Sequence, residues 1–257
     1  MIISIIKAIY TIYKTIVKKL LLSSHIEQSI KVIIEDVVSK KIYEHSRDIN
    51  YQLQVNALLR TTLYVQKYLQ KAEVLENRLE MYDFVSKKIL ENRIEDQNLF
   101  CEFGVFKGFS INYLARRLEQ NIHGFDSFQG LPEFWRPGFN KDCFSLEPDT
   151  ILEFDPRVIL HKGLFDQTIP AFKQQYPGQI KFIHIDCDLY ISTKIIFDLL
   201  ADRIGLGCII LFDEYFNYPG WHDHEFKAFQ EFIQKNGLKY EYIAYSRTDE
   251  QVAVRIR

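Results

Sequence analysis

Six carboxylates stand where short apolar runs stop. Glu102 follows Leu99-Phe100-Cys101, Asp126 follows Ile122-His123-Gly124-Phe125, Asp186 and Asp188 follow the run 180–185, and Asp213 and Glu214 follow the run 208–212. Apolar runs of this length, bounded by turn residues, read as strands covered on both faces. In an open α/β sheet the carboxyl ends of such strands gather along one edge, where ligands bind. Carboxylates crowded there are costly to keep ionised without hydrogen-bond donors or positive charge. The pattern therefore demands a metal ion or a cationic ligand.

The turn after the first run is built for close approach. Gly104 and Gly108 sit in Glu102-Phe-Gly-Val-Phe-Lys-Gly108, and Ile111, Leu114, Ala115 and Leu118 follow at helical spacing. Gly104 lets the chain turn sharply with no side chain in a ligand's way, and Gly108 opens a helix whose first amides are free. Asp126, about 20 residues beyond the first glycine, stands where α/β nucleotide sites hold ribose hydroxyls. A ligand-free strand–turn–helix is the plain alternative. Asp186, Asp213 and Glu214 offer oxygen ligands alone, which favour Mg²⁺ over zinc; the alternative is that Asp213 and Glu214 cap the next loop. Asp186 or Asp188 can accept a proton from a metal-bound hydroxyl, and Asp188 can equally cap the turn before Tyr190. His222 and His224, in Pro219-Gly-Trp-His-Asp-His-Glu225, suit metal, base or a solvated helix start. His184, inside a strand, reads as a hydrogen-bonded core residue.

Four motifs follow one another in order: Glu102-Phe-Gly-Val-Phe-Lys-Gly108, Gly124-Phe-Asp-Ser-Phe-Gln-Gly-Leu-Pro-Glu133, His184-Ile-Asp-Cys-Asp-Leu-Tyr190 and Phe212-Asp-Glu-Tyr215. Together they resemble the S-adenosylmethionine-dependent O-methyltransferases typified by macrocin O-methyltransferase, from about Asn98 to the C-terminus. The resemblance implies a Rossmann-like fold. It further implies that Glu102 and Gly104 face the methionine end of S-adenosylmethionine, that Asp126 takes the ribose, and that Ser127, Phe128 and Gly163 flank the adenine. It also implies a divalent metal on Asp186, Asp213 and Glu214, touching the acceptor hydroxyls. Glu214 departs from the Asp often found there. The implied reaction is O-methylation of a hydroxyl on a sugar or glycosylated metabolite. The competing readings are a nicotinamide-dependent oxidoreductase, which the missing Gly-x-Gly-x-x-Gly disfavours, and a non-catalytic scaffold.

The elements that position these residues read as an α/β, doubly wound, mostly parallel sheet ending in an antiparallel hairpin over 238–245 and 251–256. Strands are expected at 99–102, 122–126, 157–161, 180–185 and 208–212. Residues 127–149 form a proline-broken loop rich in rings, among them Phe128, Phe134, Trp135, Phe139 and Phe144, which suits a lid or acceptor wall. The first third is an all-helical extension without Gly or Pro before Gly104, with apolar faces Ile26/Ile30/Ile33/Val37, Leu53/Leu59/Leu63 and Leu75/Leu79/Tyr82/Val85/Ile89. Glu73, Glu76, Arg78 and Glu80 read as a solvated face. Three segments result: 1–22, an amphipathic helix with a lysine-only polar stripe; 23–97, the helical extension; and 98–257, the cofactor-binding domain. The first suits peripheral contact with an anionic membrane that fades with salt, or packing within a homo-oligomer.

A net charge of −2 gives no support for nucleic-acid binding. Four dispersed cysteines form no paired zinc motif, and Cys101, Cys187 and Cys208, in or beside expected core strands, read as buried thiols in a reducing, cytoplasmic setting.

Overall fold

The computed structural model describes residues 24–257 except 92, 93, 96, 148 and 149, together with Thr11. The expected amphipathic helix over 1–22 lies outside the described residues. The chain forms two compact units, residues 1–53 and 54–257. In the first unit, α1 spans Ser24–Arg47 and α2 begins, running Ile49–Tyr68. Ile33 and Val37, expected on a packed face, are exposed. No helix among the described residues is long and apolar enough to cross a membrane.

The second unit is one eight-stranded sheet with helices on its faces. Its elements are β1 (Glu73–Leu75), α3 (Arg78–Leu90), β2 (Leu99–Phe103), α4 (Phe109–Leu118), β3 (Ile122–Asp126), β4 (Val158–Lys162), α5 (Phe165–Gln175), β5 (Ile180–Ile185), α6 (Tyr190–Leu200), β6 (Ile204–Phe212), α7 (Glu225–Asn236), β7 (Tyr240–Ser246) and β8 (Val252–Ile256). The strand order is β1-β7-β8-β6-β5-β2-β3-β4. Every pairing is parallel except those of β8, which is antiparallel to both β6 and β7. The doubly wound sheet and its terminal hairpin are thus as expected, with β8 inserted between β6 and β7. Leu99–Phe103 is buried throughout and the last five residues of β6 are buried, the signature of strands covered on both faces.

Two features depart from the expected pattern. The helical reading of 26–90 is interrupted: Glu73–Leu75 is an edge strand beside β7, so Leu75 belongs to no helix face. The break needs no Gly or Pro, because Asn77 caps α3. Its side-chain oxygen accepts from the amides of Leu79 and Glu80 (3.0 and 3.1 Å), and Glu80 accepts from the amide of Glu76 (2.9 Å), a reciprocal cap. In α2, Leu59 and Leu63 are exposed while Ala57 and Thr61 are buried. Small residues there let the helix approach the loop at Asn217, whose amide donates to Thr61 Oγ1 (3.0 Å).

Candidate active site

The parallel ladder runs one rung beyond its strands, and those last rungs carry the site. The amide of Gly104 donates to Phe125 O (2.9 Å), that of Asp186 to Phe103 O (2.9 Å), that of Asp213 to Ile185 O (2.9 Å) and that of Gly163 to Asp126 O (3.0 Å). Four residues foreseen from sequence are thereby fixed side by side on one edge. They open onto a cavity of about 600 Å³, whose lining includes Gly104, Asp126, Ser127, Gly163, Asp186, Asp188, Asp213 and Glu214. Leu131, Trp135, Phe139 and Phe144 of the 127–149 loop form the opposite wall.

The β2–β3–β4 side is held by the backbone. Asp126 Oδ2 accepts from the amides of Val105 and Phe106 (both 2.8 Å), and Oδ1 from Phe128 (2.6 Å). A carboxylate oxygen takes about two such bonds, so Oδ1 keeps a free position toward the cavity. Ser127 Oγ accepts from the amide of Gln129 (3.1 Å). Gly104 has φ +92°, and a Cβ there would lie 1.7 Å from the Asp186 carbonyl oxygen. Its first duty is thus to let the ends of β2 and β5 meet. Gly108 (φ +80°) is the N-cap of α4, and a Cβ there would lie 2.6 Å from the Phe154 ring; neither Gly108 nor Phe128 lines the cavity. Glu102, expected at the methionine end, is fully buried away from it. It accepts from Ser110 Oγ (2.8 Å) and pairs with His184 Nδ1 (2.9 Å).

The β5–β6 side is held by charge. His184 is a core residue, as expected, lying between Glu102 and Asp213, with Nε2 3.8 Å from Asp213 Oδ1. Burial opposes its charge, but Asp213 and Glu102 outweigh it and hold the imidazole up at about 10. Asp213 Oδ2 accepts from Arg78 Nη2 (2.6 Å) and Oδ1 from Gln251 Nε2. Its pKa is lowered: burial works against ionisation, but His184 and Arg78 prevail. Arg78, expected on a solvated face, thus belongs to the site. Asp186 and Glu214 are pushed well up by burial and by the charge of Asp213, and Asp188 is raised to about 7 for the same two reasons.

The expected metal trio of Asp186, Asp213 and Glu214 is distributed over two groups. Ligand atoms converge within 4.8 Å in Asp186, Asp188 and Glu214, and again in His184, Asp186 and Asp213. Glu214 Oε2 is buried without a hydrogen-bond partner. All-oxygen donors with an orphaned acceptor and several raised carboxyls fit a hard divalent cation. Asp213 does not cap the following loop, and Asp188 does not cap α6, whose N-cap is Leu189 with no side-chain bond. Asp188 instead adopts φ +64°, and the amide of Leu189 reaches back to Cys187 O (2.6 Å). This strained turn turns the carboxylate among the other acids.

Other residues escaped the sequence reading. Glu225, at the start of α7, is fully buried, and its oxygens face the amides of Asp188 (3.3 Å) and Glu214 (3.4 Å). Arg136 pairs with Glu250 (2.9 and 3.0 Å) and lies over the rings of Trp135 (4.0 Å) and Tyr218 (4.5 Å), latching the ring-bearing loop to the β7–β8 turn. His222 stacks on Trp221 (3.5 Å), and neither it nor His224 lines the cavity.

Residues 101–215 match the family described as "Methyltransferase domain". No curated protein matches the chain significantly. Among solved structures, the calicheamicin methyltransferase CalS11 is similar with a TM-score of 0.55 at 20% identity, over 69% of this chain and 77% of its own. The O-methyltransferase NovP is similar with a TM-score of 0.53 at 20% identity, over 69% of this chain and 78% of its own. The nicotinamide and scaffold readings give way to this match. The strand-end acids and the glycine turn all lie within residues 101–215, the segment that matches a methyltransferase domain, on a fold similar to those of CalS11 and NovP.

Proposed function

We propose that the protein transfers a methyl group from S-adenosylmethionine to a hydroxyl oxygen of a sugar or glycosylated metabolite, assisted by Mg²⁺. The observation that carries this reading is the cluster of Asp186, Asp188 and Glu214 in the same cavity as Gly104 and Asp126. NovP, similar in fold, is an O-methyltransferase.

Asp126 would take a ribose hydroxyl on its free position, beside Gly104, Ser127 and Gly163. Asp186 and Glu214 would hold the cation. Bound there, Mg²⁺ would lower the pKa of the acceptor hydroxyl while S-adenosylmethionine supplied an electrophilic methyl on its sulfonium. Asp188, held near 7, is suited to accept the hydroxyl proton at neutral pH. Glu225 fixes the backbone amides of both Asp188 and Glu214, which keeps the two carboxylates aligned.

The wall supports a sugar acceptor. Trp135, Phe139 and Phe144 present ring faces for C–H groups, and carboxylates on the other side accept from hydroxyls. Both arginines that line the cavity are already bonded to carboxylates, which disfavours a phosphate-bearing acceptor.

The test is methyl transfer to a panel of glycosides. Excess chelator should abolish turnover while leaving S-adenosylmethionine affinity by calorimetry unchanged, and Mg²⁺ should restore it. Asp188→Asn should lower kcat about 10³-fold without weakening the cofactor. Full turnover in chelator would remove the metal from the mechanism, and NAD binding in place of S-adenosylmethionine would overturn the reading altogether.

A further inference from the structure

The residue that closes the acid cluster comes from outside the matched methyltransferase domain. Arg78 opens α3, and two devices fix its position. The Asn77–Glu80 cap sets where the helix begins. The pairing of Leu75 with Ser246, with the amide of Arg247 donating to Leu75 O (2.8 Å), pins the preceding strand to the β7–β8 hairpin. From there the guanidinium reaches Asp213 Oδ2 at 2.6 Å. The two ends of this pair differ: the Asp213 side chain is 2% exposed, whereas that of Arg78 is 43% exposed and lines the cavity. One partner is enclosed, and the other faces the cavity.

Asp213 therefore has Arg78 on one oxygen and Gln251 on the other, with His184 behind. Asp186, raised by burial and by the Asp213 charge, is offset only in part by His184, which Asp213 shares. We infer that Arg78 is a positioning residue, the resident counter-cation of Asp213, which orients that carboxylate when the cavity is empty and competes with a divalent cation for it. Asp186 and Glu214 would hold Mg²⁺ with Arg78 nearby as a like charge, and Asp213 would serve fully as a ligand only with the guanidinium withdrawn. Arg78 thereby sets the affinity of the cation site from a segment that supplies no ligand. This inference rests on the reading of the acids as a cation site.

Calorimetric titration of Mg²⁺ into the full-length protein saturated with S-adenosylmethionine tests it, with heats that persist in Asp186→Asn subtracted. Arg78→Gln should bind Mg²⁺ about tenfold tighter or more, because a unit positive charge is removed a few ångströms from the ion. Arg78→Lys, which keeps the charge but not the fork geometry, should fall between Gln and wild type. S-adenosylmethionine affinity should stay within about twofold in both. A merely structural ion pair would lower Tm and leave Mg²⁺ affinity unchanged, and that result, or weaker binding in Arg78→Gln, overturns the inference alone. Binding seen in Arg78→Gln but absent from wild type supports it in its strongest form. No Mg²⁺ uptake by either protein, with S-adenosylmethionine still bound, overturns both the inference and the cation reading beneath it.

Discussion

On the β2–β3–β4 side of the cavity a carboxylate is engaged by backbone amides; on the β5–β6 side carboxylates face one another. Asp126 accepts three amide hydrogen bonds, two from the turn after β2 and one from its own loop, so its geometry is set whether or not a ligand is bound. Asp186, Asp188 and Glu214 instead are all raised by burial and by the charge of Asp213, and Glu214 Oε2 has no hydrogen-bond partner. The first wall is preorganised by hydrogen bonds, and the second holds carboxyls whose ionisation a cationic ligand would favour. The histidines beneath show the same contrast. His123, paired with His161 at 3.0 Å, is lowered to about 4 by burial and by its neighbour's charge, while His184 is held up at about 10 by two carboxylates.

The largest effect should come where the walls touch. A Cβ on Gly104 would meet the Asp186 carbonyl at 1.7 Å, on a residue at φ +92°. Gly104→Val should cost more than about 4 kcal/mol, enough to lose most soluble folded protein, and Gly104→Ala should already lower the urea midpoint. An unchanged midpoint in the alanine variant would mean that the strand ends do not meet as described.

A smaller effect, confined to one wall, follows from Asp126→Ala. On the proposed reading it removes a cofactor ligand together with the acceptor of three amides, so S-adenosylmethionine affinity should fall by about 2 kcal/mol, with Tm lowered as well. Mg²⁺ binding to the opposite wall should be untouched. Equal losses of both ligands would show that the two walls are one cooperative unit.

The smallest effect is the pH dependence of stability. His123 has a folded pKa below its unfolded value, so its contribution is full above about 6.5 and is lost as pH falls toward 4. That amounts to about 2 kcal/mol at pH 4.5, about 5 °C in Tm. His184 has a folded pKa above its unfolded value; its contribution is full below about 6.5 and is lost as pH rises through about 10. Thermal melts across this range should therefore fall on both sides, and His123→Gln should flatten the acid limb alone. An acid limb identical in that variant would sink the assignment.

What could be read from sequence was whatever is local. Asp126, Asp186 and Asp213 end apolar runs, and a run that stops at an acid is visible within a few residues. Asn77-x-x-Glu80 is equally local, and its capping pattern announces the start of α3 despite the absence of Gly and Pro nearby. The pairings that convert acids into a site are not local. Arg78 meets Asp213 across 135 positions and Arg136 meets Glu250 across 114, so neither arginine carries any mark in its own neighbourhood. Glu225 looked like one more charge at a solvated helix start, because burial depends on what packs over it. Glu102 was visible as a strand-end acid, but its partner His184 lies 82 positions away, and that pairing, with Ser110 on the other oxygen, holds the carboxylate away from the cavity.

The edge strand β1 also fixes when the site can exist during synthesis. Glu73 pairs with Ala244, so a ribosome must add about 170 residues after β1 emerges before its partner is made, roughly 9–34 s at 5–20 residues per second. Through that interval the segment bearing Arg78 has left the tunnel with no strand to join, and Asp213 is itself still to come for most of it. The parallel centre of the sheet can assemble outward as each strand appears, but the arginine reaches the acids only after the last hairpin closes. Active-site completion thus waits on β7, and a nascent chain stalled before it would carry the acids without Arg78 held against them.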